Sequence, residues 1–162
     1  MIDESLRPLL ESLASWRFGL PGARETMSSA SVDLVVAGRD EPSIVGLASM
    51  FRDDSTGHVH KLVDDAVEEL NLESVITKNA DLLVAMHVCR SVLSGALDER
   101  ELSQWVHSVF AHVSDIDLLN DIALLDDDWD GAIEGWGPDV VGVVRAKVRA
   151  AAISLLELEL VQ

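Results

Sequence analysis

The sequence predicts an all-α fold, a compact single-domain array of about seven to eight helices. Apolar residues recur at helical spacing along most of the chain, and glycine and proline divide it into segments of helix length. No linker is long enough to separate two domains, so residues 1–162 are expected to form a single helical domain. At 48% hydrophobic residues, a chain of this length can bury roughly 70% of its unfolded surface around one core.

The first half predicts four helices, each with a recognisable end. A leucine stripe that begins at Leu6 is closed by Gly19 and Pro21, and a second segment over about 23–37 ends at Gly38. Asp40 is expected to cap a short third helix. The fourth, over about 59–70, has an apolar face opposite a charged one.

The second half predicts a central helix followed by three more. Residues 74–93 are apolar around most of the circumference, as expected of one continuous core helix. Asp98 with Glu101 forms a capping box, and Ser114 with Asp117 repeats that start signal. Pro138 suits the first position of a last helix, whose end includes the alternating tail LLELELVQ. The valine-rich stretches, among them 32–37, leave strand as the alternative.

Charge and cysteine content limit the partners and the compartment. There are 29 acidic and 12 basic residues, a net charge of −17, which repels nucleic acid and anionic membranes and attracts basic surfaces. The single cysteine, Cys89, excludes an intramolecular disulfide and favours a reducing compartment. No targeting signal or membrane span is visible, so a cytoplasmic location is expected.

The acidic residues are concentrated rather than spread. Between Asp98 and Asp139 there are twelve carboxylates and one cation, Arg100. Clustered like charge costs folding free energy, so this region favours contact with a basic protein partner, with a surface that only keeps the chain soluble as the alternative. Trp129 and Trp136 are candidate aromatic anchors, with packing onto the last helix as the alternative. The candidate partner-binding residues are Asp115, Asp117, Asp121, Asp126, Asp127, Asp128, Trp129, Asp130, Glu134 and Trp136.

Residues 126–134 also resemble the D-x-D-x-D-G opening of a calcium loop. Asp126, Asp128 and Asp130 are the alternative calcium ligands. Position twelve, where a bidentate glutamate closes the coordination sphere, is Gly137. An acidic loop at a helix end is therefore the competing interpretation, and no cofactor or metal is predicted.

Enzyme activity has no motif to support it. His58 and His60 are two residues apart, and His107 and His112 are five apart, whereas metal ligands on one helix face need a spacing of three or four. His60 is expected to be a solvated imidazole, and His87 a core or boundary residue. No nucleophile elbow or phosphate-binding loop occurs, and no catalytic residue is predicted.

The chain resembles small helical proteins of actinobacterial type in four segments, VAGRDEPSIVGLASM, VDDAVEEL, ELSQWVHSVF and LLDDDWD. This resemblance brings no activity with it. In size and acidity the chain is also similar to bacterial immunity proteins that neutralise cationic toxins. This second resemblance implies an immunity or inhibitor protein that masks a basic partner such as a toxin. Two other functions remain as alternatives. One is a calcium-binding helix-loop-helix protein, and the other is a structural module that forms homo-oligomers through the valine-rich last helix.

Overall fold

The computed structural model describes residues 3–136 and 138–161, and the side chains of residues 136 and 138 lie outside what it describes. Over these residues the fold is all-α, as predicted, and contains no strand. A 3-10 turn (Glu4–Leu6) precedes the first helix, and a π-helical segment (Ala132–Trp136) follows the eighth. The helices are α1 (Arg7–Phe18), α2 (Ala23–Val36), α3 (Pro42–Ala48), α4 (Thr56–Glu69), α5 (Glu73–Lys78), α6 (Ala80–Leu93), α7 (Glu99–Phe110), α8 (Asp117–Gly131) and α9 (Pro138–Leu156).

Backbone contacts group the chain into two compact units. Unit 1 is Met1–His87 with Leu160–Gln162, and unit 2 is Val88–Glu159, so the division falls inside α6. Within unit 1, α1 packs on α2, α2 on α3 and α3 on α4; within unit 2, α7, α8 and α9 pack on one another. The expectation of one domain over 1–162 stays a prediction.

The helix ends of unit 1 confirm two of the predicted signals and correct a third. Gly19 closes α1 at φ 82°, and Gly38 follows α2 at φ 96°, both in the left-handed region that glycine adopts without strain. Asp40 does not cap α3. The residue at the cap position is Glu41, and the backbone N–H of Ser43 donates instead to Glu69 Oε2 of α4 at 2.8 Å.

The predicted continuous core helix is interrupted at Asn79, which separates α5 from α6. The Asn79 side chain donates to the carbonyls of Val75 and Val161, both at 2.8 Å, and accepts from the Val161 N–H at 2.7 Å. The segment after Leu156 therefore leaves the helix and returns to unit 1, which corrects its assignment as a helix end. The apolar pattern of residues 74–93 could not reveal the break at Asn79, because the groups that bond the Asn79 side chain belong partly to Val161, which is distant in sequence.

Unit 2 confirms the capping box but not its repetition. The Asp98 side chain accepts from the Glu101 N–H, and the Glu101 side chain accepts from the Asp98 N–H. At α8 no side chain caps the helix. The Asn120 side chain instead accepts from the Ser114 N–H and donates to the Ser114 carbonyl, both at 2.9 Å.

The stretch 32–37, for which strand was the alternative, is helical up to Val36. In the described part of the chain, no helix is both long and apolar enough to cross a membrane.

Candidate acidic surface on α8

Helix α8 is fixed in unit 2 by an apolar side that faces α7 and α9. Leu119, Ile122 and Ala123 are fully buried. Their spacing places them on one side of the helix. Residues about half a turn away around the axis therefore lie on the opposite side. The packing of unit 2 therefore determines which carboxylates of α8 meet solvent.

The opposite side of α8 presents three carboxylates around an exposed leucine. Asp117, Asp121, Leu124 and Asp128 follow one another at spacings of four, three and four residues, which lie on one helix face. Asp117 and Asp121 are exposed, Asp128 is half-buried, and Leu124 is 54% exposed. We call these four residues the α8 outer face.

No cation neutralises the α8 outer face among the residues that the structure describes. Arg100 pairs with Asp130 at 3.3 Å. Arg145 and Arg149 both pair with Glu99, at 3.4 and 3.3 Å, and thereby link α9 to the start of α7. These three arginines of unit 2 are engaged elsewhere, so the charge of the α8 outer face remains available to a partner.

Three other predicted site residues turn toward α7 instead. Asp126 Oδ2 lies 2.9 Å from His107 Nδ1, and Asp127 lies 4.0 Å from His107 Nδ1 and 3.9 Å from His112 Nε2. Asp130 pairs with Arg100, as described above. These carboxylates link α7 to α8: the Asp126 side chain is 21% exposed, whereas Asp127 and Asp130 keep 62% and 76% of their side chains exposed.

The remaining predicted residues lie apart from both groups. Asp115, in the turn before α8, and Glu134, on the π-helical segment, are exposed. Trp129 is only 2% exposed, so its indole is part of the interior of unit 2 and is not a surface anchor. The Trp136 side chain lies outside the described residues. In the described region, the apolar group that accompanies the acidic surface is therefore Leu124 rather than a tryptophan.

The structure also corrects the calcium-loop alternative. Asp126, Asp128 and Asp130 lie inside α8, which continues to Gly131, so the predicted loop does not form. On a helix, residues two apart point about 200° apart around the axis, so Asp128 cannot share a coordination sphere with the other two. Within the described ranges, no group of three or more His, Cys, Asp or Glu side chains has the arrangement of a metal site.

A histidine pair at the end of α7 was missed by sequence reasoning. The rings of His107 and His112 have centroids 4.8 Å apart. Ala111 between them adopts φ 50° and ψ −125°, a sharp turn that brings the chain back over the end of the helix. The sequence analysis assumed one continuous helix, on which a spacing of five residues does not bring two side chains together. Nothing in the sequence indicates that a non-glycine residue adopts positive φ between them.

Of the three histidines in unit 1, two have surroundings that bear on their predicted roles. His60 is exposed, yet its Nδ1 accepts from Trp16 Nε1 at 3.2 Å and the two rings meet edge to face, so it is more than a solvated imidazole. His87 is 6% exposed, as predicted for a core or boundary residue, and burial lowers the pKa of its imidazole.

Comparisons of this chain with protein-family models, with curated proteins and with solved structures found no match. The two resemblances drawn from the sequence therefore stay predictions. Support for a function comes from the geometry of the chain itself.

Proposed function

We propose that this chain is a binding protein for a basic protein partner, and most specifically an immunity or inhibitor protein that covers a cationic functional surface, as of a toxin. The contact surface is the α8 outer face, and the exposed Asp115 and Glu134, which lie outside it, add negative charge to unit 2. The observation that carries the proposal is the set of three carboxylates, without a cation partner in the described structure, around the exposed Leu124.

The charge pattern suits rapid association more than tight packing. Exposed carboxylates act over about 8 Å at physiological ionic strength, and they accelerate encounter with a surface of opposite charge. The Leu124 side chain supplies an apolar contact that a partner can bury after encounter, within a rim of charge. Because like charges on one helix face repel one another in the free chain, a basic partner also relieves that repulsion.

The test compares two variants that remove the same charge from different units. One is Asp117→Asn/Asp121→Asn/Asp128→Asn. The matched control is Glu25→Gln/Asp33→Asn/Asp53→Asn, three exposed carboxylates of unit 1 without ion pairs among the described residues. With a basic partner, the first variant should associate about tenfold more slowly, and the control should stay near the unaltered chain. Equal rates for both variants would contradict the assignment of the α8 outer face.

A second candidate function is a structural module that forms homo-oligomers through α9. Val144, Val148 and Ala152 of α9 are buried, but a separate stripe faces solvent. In that stripe Val143 is 52% and Ile153 is 46% exposed, and with the exposed Ala146 and Ala150 they follow one another at spacings of three, four and three residues, as in paired helices. Light scattering after size-exclusion chromatography tests it: a dimer that Ile153→Glu dissociates supports this function, and a monomer at high concentration contradicts it.

A further inference from the structure

Unit 1 contains a pocket between α2 and the turn that follows α3. Its volume is about 530 Å³, within the range of small-molecule sites. The lining combines two guanidinium groups, two hydroxyls, one carboxylate and an apolar portion. The α2 side presents Arg24, Glu25, Ser28 and Ser29, and the turn presents Met50, Phe51 and Arg52. Apolar side chains with a few convergent polar groups are the usual composition of a ligand site.

The turn over residues 51–54 is fixed by its own hydrogen bonds and by α2. The Phe51 N–H donates to Asp54 Oδ2 at 2.8 Å, and the Asp54 N–H donates to the Phe51 carbonyl at 3.2 Å. Arg24 of α2 donates to the carbonyls of both residues, from Nη1 to Asp54 at 3.0 Å and from Nη2 to Phe51. Because this wall of the pocket is ordered before any ligand arrives, binding there costs little conformational entropy.

The two guanidinium groups of the pocket are not neutralised by the chain. Arg24 bonds carbonyls only, and the exposed Arg52 side chain has neither an ion pair nor a hydrogen-bond partner among the described residues. By contrast, Arg17, Arg39 and Arg100 all pair with carboxylates. An anion in the pocket would compensate the two charges. The net charge of −17 opposes this only weakly, since charges more than about 8 Å away are largely screened at physiological ionic strength.

The two hydroxyls indicate which anion the pocket suits. A serine in a helix can bond the carbonyl four residues back, as Ser31 Oγ bonds Met27 at 2.8 Å. Ser28 and Ser29 line the pocket, and in the part of the chain that the structure describes neither hydroxyl has a partner. With the guanidinium groups they supply donors for the three terminal oxygens of a phosphate monoester. Guanidinium and phosphate also pair through two parallel hydrogen bonds.

The rest of the lining defines what the phosphate is attached to. Phe51 is 72% exposed on the fixed turn, and the half-buried Met50 lines the pocket with it, so a planar ring can stack there. Glu25 repels a phosphate, so the ligand must present hydrogen-bond donors to this carboxylate. A phosphate, a planar ring and several hydroxyl donors occur together in a nucleotide.

We propose that this pocket binds a nucleoside monophosphate. Arg52 and the two serine hydroxyls hold the phosphate, and Arg24 fixes the turn and adds positive charge. The base stacks on Phe51, and the sugar hydroxyls donate to Glu25. This site is independent of the function proposed for α8, because it uses only residues of unit 1.

The probe is adenosine monophosphate, titrated into the isotope-labelled full chain and followed by the amide NMR signals. One nucleotide suffices, because stacking on an aromatic side chain tolerates every base. We expect a dissociation constant below about 1 mM, with the largest shifts at Ser28, Phe51 and Arg52. Adenosine, which lacks the phosphate, and inorganic phosphate, which lacks the ring, should each bind about tenfold more weakly. No binding of the nucleotide, or equal binding of either half of it, would overturn the proposal.

Two variants with matched controls localise the effect. Arg52→Gln should weaken binding of adenosine monophosphate about fivefold, whereas Lys147→Gln, which removes an exposed cation of unit 2 that has no ion pair in the described ranges, should not. Phe51→Ala should weaken it by a similar factor, whereas Phe18→Ala, at another exposed phenylalanine of unit 1, should not. If each variant behaves like its control, the nucleotide is attracted nonspecifically and the site does not exist. Because α8 is unchanged in these variants, the result does not depend on the α8 outer face.

Discussion

His107 of α7 donates from Nδ1 to Asp126 Oδ2 of α8 at 2.9 Å, the direction that an ionised carboxylate requires. The two side chains are 33% and 21% exposed. A partly buried hydrogen bond to a charged group stabilises a fold by about 1 kcal/mol. In a double-mutant cycle, His107→Ala and Asp126→Ala should therefore be coupled by about that amount in the free energy of unfolding.

Urea denaturation of the two single variants and the double variant measures this coupling. The control cycle combines His107→Ala with Asp121→Ala, since Asp121 lies on the α8 outer face, and its effects should add. Additive effects in both cycles would show that the hydrogen bond contributes nothing.

Asn79 is predicted to hold the C-terminal segment onto unit 1. Asn79→Ala removes three hydrogen bonds, two of them to Val161, and should lower the free energy of unfolding by about 2 kcal/mol. Asn79→Asp retains the acceptor for the Val161 N–H but turns a carboxylate oxygen toward the carbonyls of Val75 and Val161, so its loss should be at least as large. Hydrogen exchange at the Val161 amide should quicken strongly in Asn79→Ala; unchanged protection would contradict this role.

Stability is predicted to fall below neutral pH through His87. Burial lowers the pKa of this imidazole below its ordinary value of 6.5, so near and below pH 6.5 the unfolded chain binds a proton more readily than the folded chain. This contribution to stability is complete above pH 6.5 and is lost as the pH falls through the folded-state pKa. Melting temperatures from pH 8 to pH 5 should decline less in His87→Gln than in the unaltered chain.

His58→Gln is the matched control for that experiment, because His58 is exposed and lies on the same unit. Its pH profile should follow that of the unaltered chain. If His87→Gln also follows it, His87 does not contribute to the pH dependence.

Ala111 is predicted to be strained. A non-glycine residue at φ 50° and ψ −125° costs on the order of 1 kcal/mol, and glycine reaches this conformation without a Cβ clash. Ala111→Gly should therefore stabilise the chain by up to about 1 kcal/mol. Ala146→Gly, in the exposed interior of α9, should destabilise it by a similar amount. Thermal denaturation distinguishes the two, and destabilisation by both would show that Ala111 is not strained.

The all-α class and most helix boundaries could be predicted because they depend on local signals. Gly19, Gly38, the Asp98 capping box and Pro138 each act within a few residues of the helix end that they determine. The amphipathic pattern of α4 likewise identifies its buried side without reference to any other element.

The corrected features depend on distant residues. Asn79 interrupts an apolar stretch because Val161 satisfies its side chain, and Glu69 replaces Asp40 as the partner of the α3 backbone. For the candidate site, composition identified the acidic region, but only the structure of unit 2 separates the carboxylates without an ion pair from those that contact His107 and Arg100. The burial of Trp129 follows from the same packing, which no local pattern could indicate.

The most direct test of the proposed function is affinity capture from a lysate of the native organism at low salt, with three baits compared by quantitative mass spectrometry. The baits are the unaltered chain, Asp117→Asn/Asp121→Asn/Asp128→Asn, and the control Glu25→Gln/Asp33→Asn/Asp53→Asn. We expect a basic protein that the unaltered and control baits retain, that the α8 variant loses, and that elutes as the salt concentration rises. If the three baits retain the same proteins, the α8 outer face is not a binding surface and the proposal is wrong.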